Sequence, residues 1–506
     1  MKVSIRVGLS LVLGLVFAFL FYEQGFGVNL LIYDMAMAGL TAWIYRRRLQ
    51  KIEGVVLFSG FVLSALAVFF IHTSYSIWVH LLAALLWMGF AQARELKNSL
   101  NWYIDGLANF FVHQFHFVNN INKVASSGKF GHIVKWIWVI IPAIIIGLVF
   151  VGIYYNASPW MEDLVDKVQG RVIQQIIDFF SDLNVLFIFL FLLGLMISNY
   201  FLLGSQVELS AAKGLHDLKR IRERPAFAIK PMALRWELKR ALLVFALLNA
   251  LLFLVNFFDI KNVWFGFTFQ GQFLRELVHE GTYLLIFSIL LGMGICLYFF
   301  RGNLNFYKQN KGLKILAIVW VVQNMILVVS VFVRNYWYIH HYALAYKRIG
   351  VIFFLILTLV ALVALLVKII HRKKLSFMGH IQGWAFYGVM VGCCFVNWDV
   401  FIARYNINHA DSAFLHLDYL AQMSSNALPV LDITEKELTK IKDSQPSFFE
   451  LGSDFHRRYN YMTTEGFCET IRQKKNAFHY DCPSDWRSWN YADYRVKKYL
   501  ESSQNE

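Results

Sequence analysis

Charged side chains are scarce in this sequence: only 16% of its 506 residues are Asp, Glu, Lys or Arg, where a soluble domain carries about a quarter. Hydrophobic residues make up 58%, aromatics 17%, and the mean hydropathy is +0.49. No soluble core absorbs that much apolar surface, so the natural solvent is lipid. Proline is rare at 7 residues, and neither an internal repeat nor a low-complexity segment is visible. Short chemical motifs are missing too: there is no nucleophile elbow, phosphate-binding glycine loop, HExxH or kinase set. That argues against a cytosolic ATP-driven machine or a common zinc protease. It leaves open a lipid-linked transferase, whose catalytic carboxylates sit in outer loops without a strong short motif. The net charge of +15 would suit nucleic acid, but Lys and Arg cluster in short loops between apolar runs. No recognition motif accompanies them, so no nucleic-acid partner is expected.

What is present is a succession of apolar runs long enough to cross a bilayer at 1.5 Å per residue. They fall near residues 5–22, 28–44, 54–71, 76–93, 134–154, 184–204, 241–258, 281–299, 315–334, 349–370 and 380–397. The fold class read from them is an all-α polytopic membrane protein of about eleven transmembrane helices with a small, mainly helical extracytoplasmic C-terminal domain. The N-terminus has a basic start but no small-x-small cleavage site, which predicts a retained first span. One set of loops, the N-terminus, 46–51, 94–135, 205–240, 300–314 and 368–374, holds most of the loop Lys and Arg, while the opposite loop 155–183 is net acidic. The positive-inside rule then puts the N-terminus in the cytoplasm and, after an odd number of crossings, the C-terminus outside. The expected location is the bacterial inner membrane, with the lipid bilayer as the first partner. The domain boundaries are 1–397 for the bundle and 398–506 for the tail.

Two loops are amphipathic. Residues 100–118 place Leu100, Tyr103, Ile104, Leu107, Phe111, Phe115 and Val118 on one helical face, and residues 159–182 do the same. Both are expected as helices lying in the membrane interface. The basic run DLKRIRERPAF in the 205–240 loop either attracts anionic headgroups or simply retains the loop inside. Of the 5 cysteines, Cys296, Cys393 and Cys394 lie in apolar helices. Cys468 and Cys482 share the tail, and an extracytoplasmic tail permits a disulfide between them. Two cysteines without a clear His pair do not make a zinc site, and no metal or other cofactor is expected.

Ionisable groups inside lipid are costly and call for a reason. Asp34 lies about six residues inside the second span. It either pairs with a cation such as Arg334 or takes up a proton as desolvation raises its pKa. Glu23, His80 and Arg334 share the outer half of the bundle. In ELVHE, Glu276, His279 and Glu280 stand three and four apart, so two or three of them share a helical face. A second Glu-x-x-His copy, which a di-iron bundle needs, is absent from the sequence, so pairing with Arg275 or Arg334 is expected instead. His340 and His341 are adjacent, point about 100° apart on a helix, and cannot easily grip one metal.

The stretch NWDVFIARYNI (397–407) and then LDYLAQMSSNALPVL (417–431) resembles a pattern of Asn, Asp, Ile-Ala-Arg-x-Asn-Ile and Leu-Asp-x-x-Tyr-Leu. That pattern belongs to polytopic bacterial membrane proteins grouped as domain-of-unknown-function family 4173. QFLRELVHEGTYLLI (272–286) is similar to the family's Glu-Gly element entering a helix. RNYWYIHHYALAYKRIGVIFF (334–354) resembles its Arg, Tyr and Arg element between two helices. The resemblance covers roughly residues 240–435. It implies a candidate polar cluster, for a ligand or for structure, of Glu280, Arg334, Tyr342, Arg348, Asn397, Asp399, Arg404, Asn406, Asp418 and Tyr419. The family's Gly-Leu-Thr reads Ala343-Leu344-Ala345 here, so a role for that threonine hydroxyl does not carry over. No activity follows from the likeness, and no catalytic residue is assigned. Arg404 and Asp399 either form a structural pair that fixes the tail to the bundle or serve a ligand.

Three functional classes are compatible with these residues. One is an envelope scaffold or sensor whose tail meets a periplasmic protein. The second is a proton-coupled small-molecule transporter using Asp34. The third is a lipid-linked transferase with an outer-face active site. The sequence does not identify a small-molecule or lipid ligand for any of them.

Overall fold

A computed structural model describes residues 3–93, 99–124, 160, 185–202, 231–267, 271–301, 303–445, 462–481 and 485–503. Among them every regular element is helical: α1 (Val3–Phe21), α2 (Val28–Ile44), α3 (Ile52–Ile71), α4 (Ser74–Gln92), α5 (Ser99–Val124) and α6 (Val185–Leu202) in the first half. The second half has α7 (Pro231–Asp259), running into a π-helical turn (Ile260–Phe265), then α8 (Gly271–Phe299), α9 (Lys311–Tyr342), α10 (Tyr346–His371) and α11 (Leu375–Cys393). The tail contributes α12 (Trp398–Asn408), α13 (Leu417–Ala421), α14 (Leu428–Leu431), α15 (Glu435–Asp443), α16 (Thr464–Asp481) and α17 (Tyr491–Ser503).

The chain is an all-helical, multi-pass membrane protein. Ten of the eleven expected apolar segments coincide with described helices; the segment 134–154, like 159–182 and the basic run, lies outside the described residues. Among the described residues six helices are long and apolar enough to cross a bilayer: Ile52–Ile71, Ser74–Gln92, Leu234–Phe265, Gly281–Phe299, Lys311–Tyr342 and Tyr346–His371, which leaves the expected eleven spans unconfirmed. Ile5–Phe21, Val28–Ile44 and Leu186–Leu202 are apolar but shorter. The last apolar run does not continue straight: α11 and α12 meet at 70°, where Asn397 caps α12 by accepting from Val400 N at 3.3 Å.

Two compact units form. The first contains α1–α4, α6, nearly all of α5 and, from the tail, residues 485–490. In it α1 crosses α6 through small residues at four-residue spacing, Ser10 and Gly14 against Gly194 and Ser198. Ser198 Oγ donates to Ser10 O at 3.0 Å, and a Cβ on Gly14 would stand 3.2 Å from Leu195 N. Without a hydrophobic drive between helices in lipid, such close backbone approach is what holds a pair together. Helix α5 forms where the amphipathic pattern predicts one, with its faces sorted for an apolar solvent. Ile104, Leu107 and Phe111 are exposed, while Asp105, Asn109 and His113 are buried with Trp102. Gln114 reaches Met196 O at 3.1 Å.

The second unit is organised by α9, whose 32 residues extend about 48 Å at 1.5 Å per residue. A polar ladder at two-turn spacing ties it to α7. Asn249 Nδ2 donates to Leu316 O at 3.0 Å, Gln323 Nε2 to Asn249 Oδ1 at 2.9 Å, and Asn256 Nδ2 to Gln323 O at 3.1 Å. Farther along, Trp264 Nε1 donates to Ser330 Oγ at 3.0 Å. Around the tail helices, Ile402, Leu417, Leu428, Phe467 and Val496 share one core with Ile339, Leu344 and Ile349 of the α9–α10 corner.

The disulfide expected between Cys468 and Cys482 is not formed, and Cys468 is a free thiol. The reason is the helix it sits on. Cys468 lies in the second turn of α16, which continues to Asp481, so the residue before Cys482 is about 20 Å farther along the axis. A disulfide needs Cα atoms within about 7 Å.

Candidate functional site: a buried Asp–His–Ser chain

Helices α2, α3 and α4 place three polar side chains at one depth in the first unit. Asp34 is six residues after the start of α2, His80 six after the start of α4, and Ser64 seven before the end of α3. With α3 running opposite to its neighbours, all three fall about 10 Å from the same end of the bundle. His80 Nε2 lies 3.0 Å from Asp34 Oδ2, and His80 Nδ1 lies 3.1 Å from Ser64 Oγ. Ser64 Oγ is in turn 2.9 Å from Phe61 O, and the Phe61 ring stacks on the imidazole at 5.4 Å. Asp34 is 6% exposed, His80 4%, and Ser64 fully buried. Asp34 therefore pairs with His80. The Nε2···Oδ2 approach is bent away from ideal hydrogen-bond geometry, so its attraction is chiefly ionic.

The chemistry follows from donor counting. Two bare acceptors repel at 3.0 Å, so Nε2 carries a hydrogen, although that hydrogen is not aimed along the line to Oδ2. On the other side of the ring the Ser64 hydroxyl has one hydrogen and two acceptors in reach. If it donates to Nδ1, the histidine is neutral and the pair carries one negative charge. If it turns to Phe61 O, Ser64 accepts from a protonated Nδ1, the ring is an imidazolium, and the pair is neutral. A single hydroxyl rotation thus gives hydrogen-bonded arrangements for both charge states with the same heavy-atom positions. Ser64 is too buried to act as a nucleophile.

The second unit places the other expected residues at two points. Arg334 forms a buried ion pair with Asp259, Nη2 to Oδ1 at 2.5 Å, beside the π-helical turn. Glu280 belongs to α8, but its side chain lies outside the described residues, as do those of Glu276 and His279. At the α9–α10 corner, Arg348 donates to the carbonyls of Tyr342, at 2.5 Å, and Ala343 and lies over the Tyr338 ring at 4.4 Å. Asn406 brackets Leu344, accepting from its N at 2.7 Å and donating to its O at 3.0 Å. Tyr346 N donates to Tyr419 Oη at 3.0 Å, and Tyr346 Oη to Asp399 Oδ1 at 2.7 Å. The other Asp399 oxygen accepts from Ser424 N at 3.1 Å. Asp418 accepts from Met462 N.

So Tyr342, Arg348, Asp399, Asn406 and Tyr419 converge, and they do so as a joint around one loop. Arg404 does not pair with Asp399: it is exposed on α12, and Asp399 is occupied by Tyr346 and Ser424. Ala343 shows how tightly the joint is held. Its φ of 62° with ψ of −175° is a conformation nearly restricted to glycine. Replacing Ala343 with Gly is expected to raise stability by about 1 kcal/mol, relief of strain outweighing the added chain entropy. Thermal unfolding in detergent checks the sign, and a lower midpoint would mean the corner is not strained.

Comparison with known proteins adds a family without an activity. A family model described as Domain of unknown function (DUF4153) matches residues 34–433, which is most of the chain. The chain belongs to that family. The DUF4153 match begins at Asp34 and takes in His80, Ser64, the Asp259–Arg334 pair and the α9–α10 joint; residues 485–490 lie beyond it. The narrower likeness to family 4173 is not confirmed, and what stands is membership in a family of unknown function. No curated protein and no solved structure matches the chain.

Sequence reasoning singled out Asp34 and noted His80 in the next-but-one span. It missed Ser64 and Asp259. Equal depth from one end was the available signal for Asp34 and His80. A lone serine in an apolar helix gives none, and Asp259 reads as a helix end.

Proposed function

We propose that this DUF4153 protein is a proton-coupled small-molecule transporter of the bacterial inner membrane, with its N-terminus cytoplasmic and its C-terminal tail outside. One observation carries the reading: an Asp–His pair buried among apolar helices, backed by a hydroxyl that accommodates its protonated and deprotonated states. Ionisable groups at such depth mark proton or ion pathways more often than they mark packing. The orientation rests on the sorting of Lys and Arg among the loops. The test is complementation of a deletion strain across external pH from about 5 to 8, the range in which histidine titrates. Asp34→Asn is expected to abolish pH-dependent rescue while the protein accumulates normally in the membrane. Full rescue by Asp34→Asn at every pH removes the proposal.

A second reading, an envelope scaffold or sensor with a periplasmic partner, draws support from the tail core built around Leu428 and Phe467. Cross-linking a tagged tail in cells should then recover a stable envelope protein. The lipid-linked transferase is weakened, because Asp399 and Asp418 on the proposed outer side already accept from backbone N–H groups.

A further inference from the structure

Residues 485–490 run along the corner between α1 and α2. Trp489 O accepts from Val28 N and Arg487 O from Asn29 N, both at 2.9 Å. Val28 and Asn29 open α2, so these are amide groups that a helix leaves without internal partners, and the tail segment caps them. Ser488 Oγ donates to Gln24 Oε1 at 2.7 Å. The fit leaves no room for a side chain at Gly27, where a Cβ would stand 2.5 Å from backbone atoms of Ser488 and Trp489.

The segment's level is set by what it touches. Arg487 Nη1 donates to Phe19 O at 2.7 Å, and its guanidinium lies over the Phe19 ring at 5.5 Å. Trp489 packs against Phe69 at 5.4 Å. Phe19 and Phe69 are in the closing turns of α1 and α3, where apolar helix gives way to loop. Phe19 continues an exposed apolar stripe on α1 with Val12 and Leu15, a face suited to lipid. Trp486 is 56% exposed and Trp489 40%, beside that stripe. The local charge is nearly cancelled, because Arg487 Nη2 and Nε hold Asp485 Oδ2 at 2.6 and 3.0 Å. Amphipathic tryptophan rings beside a neutralised Arg–Asp pair at the end of apolar helices fit the headgroup layer of a bilayer.

We propose that residues 485–490 are an interfacial strap: Trp486 and Trp489 lie in the phospholipid headgroup region, and the strap holds the start of α2 there. The bilayer then fixes the height of the helix that carries Asp34. This inference is independent of the transport reading.

The test uses full-length protein in phosphatidylcholine vesicles, comparing wild type with Trp486→Phe so that the difference in emission reports Trp486 alone. Lipid brominated near the headgroup end of its chains is expected to quench that difference signal at least twofold. Aqueous iodide is expected to quench it by less than a fifth. Strong iodide quenching with no bromolipid effect would place Trp486 in water and overturn the proposal. A second variant, Gly27→Ala, drives a methyl into the strap and is expected to raise iodide quenching of Trp486. Unchanged quenching of both kinds in Gly27→Ala would show that the α2 corner does not hold the segment.

Discussion

Replacing Arg334 with methionine should destabilise the protein by about 3–5 kcal/mol, the usual cost of stranding one charge of a buried pair. Asp259 and Arg334 are both buried and joined as an ion pair. Removing the guanidinium leaves the buried Asp259 carboxylate without this ion-pair partner. The double change Arg334→Met with Asp259→Asn removes both charges and is expected to recover most of the loss. Thermal unfolding in detergent separates the outcomes. If the single and double variants are equally unstable, Arg334 acts through packing and not through its charge. Asp259 also precedes the π-helical turn, an irregularity that often accompanies functional positions in helices.

Stability should also fall as pH drops from about 6.5 to about 4, with His416 as a principal cause. Burial first, then the nearby Arg348, hold the His416 imidazole down to about 4 against the opposing pull of Asp418. The folded protein keeps this ring neutral, while an unfolded chain protonates it near 6.5. The unfolded state therefore binds more protons throughout that window, and stability rises with pH there. The contribution is fully present above about 6.5 and lost by about 4, at a slope of at most about 1.4 kcal/mol per pH unit. Unfolding midpoints at pH 5 and 7 should converge in His416→Gln relative to wild type. An identical pH dependence in the variant would assign the effect to other groups.

Much of the architecture was legible because lipid imposes a simple rule: apolar runs of sufficient length become helices, since no other segment satisfies its own backbone there. That rule located α1–α4 and α6–α11 to within a few residues in most cases. It did not reveal the bend after Cys393, because the run to Val396 stays apolar and only the cap at Asn397 marks the turn. For α5 the amphipathic pattern marked the helix and its apolar face, and it gave no sign that the polar face, Asp105, Asn109 and His113, packs inside the protein. The quoted motif around Asp399 was legible as a cluster, and geometry decided its nature. Each of Asn406, Arg348 and Tyr419 bonds to backbone of the 342–346 loop, which makes the cluster a joint. The Cys468–Cys482 expectation failed because sequence separation says nothing of distance once a straight helix intervenes.

The capping of α2 by Arg487 and Trp489 has a consequence for biogenesis. Ser488 meets Gln24 across 464 residues of sequence. A ribosome adding about 5–20 residues per second takes on the order of half a minute or more to bridge that gap. During that interval the second helix is already in the translocon's vicinity with its leading amides bare. Newly made chains must therefore wait in an unfinished form, and chains that stall before Trp489 never complete that corner.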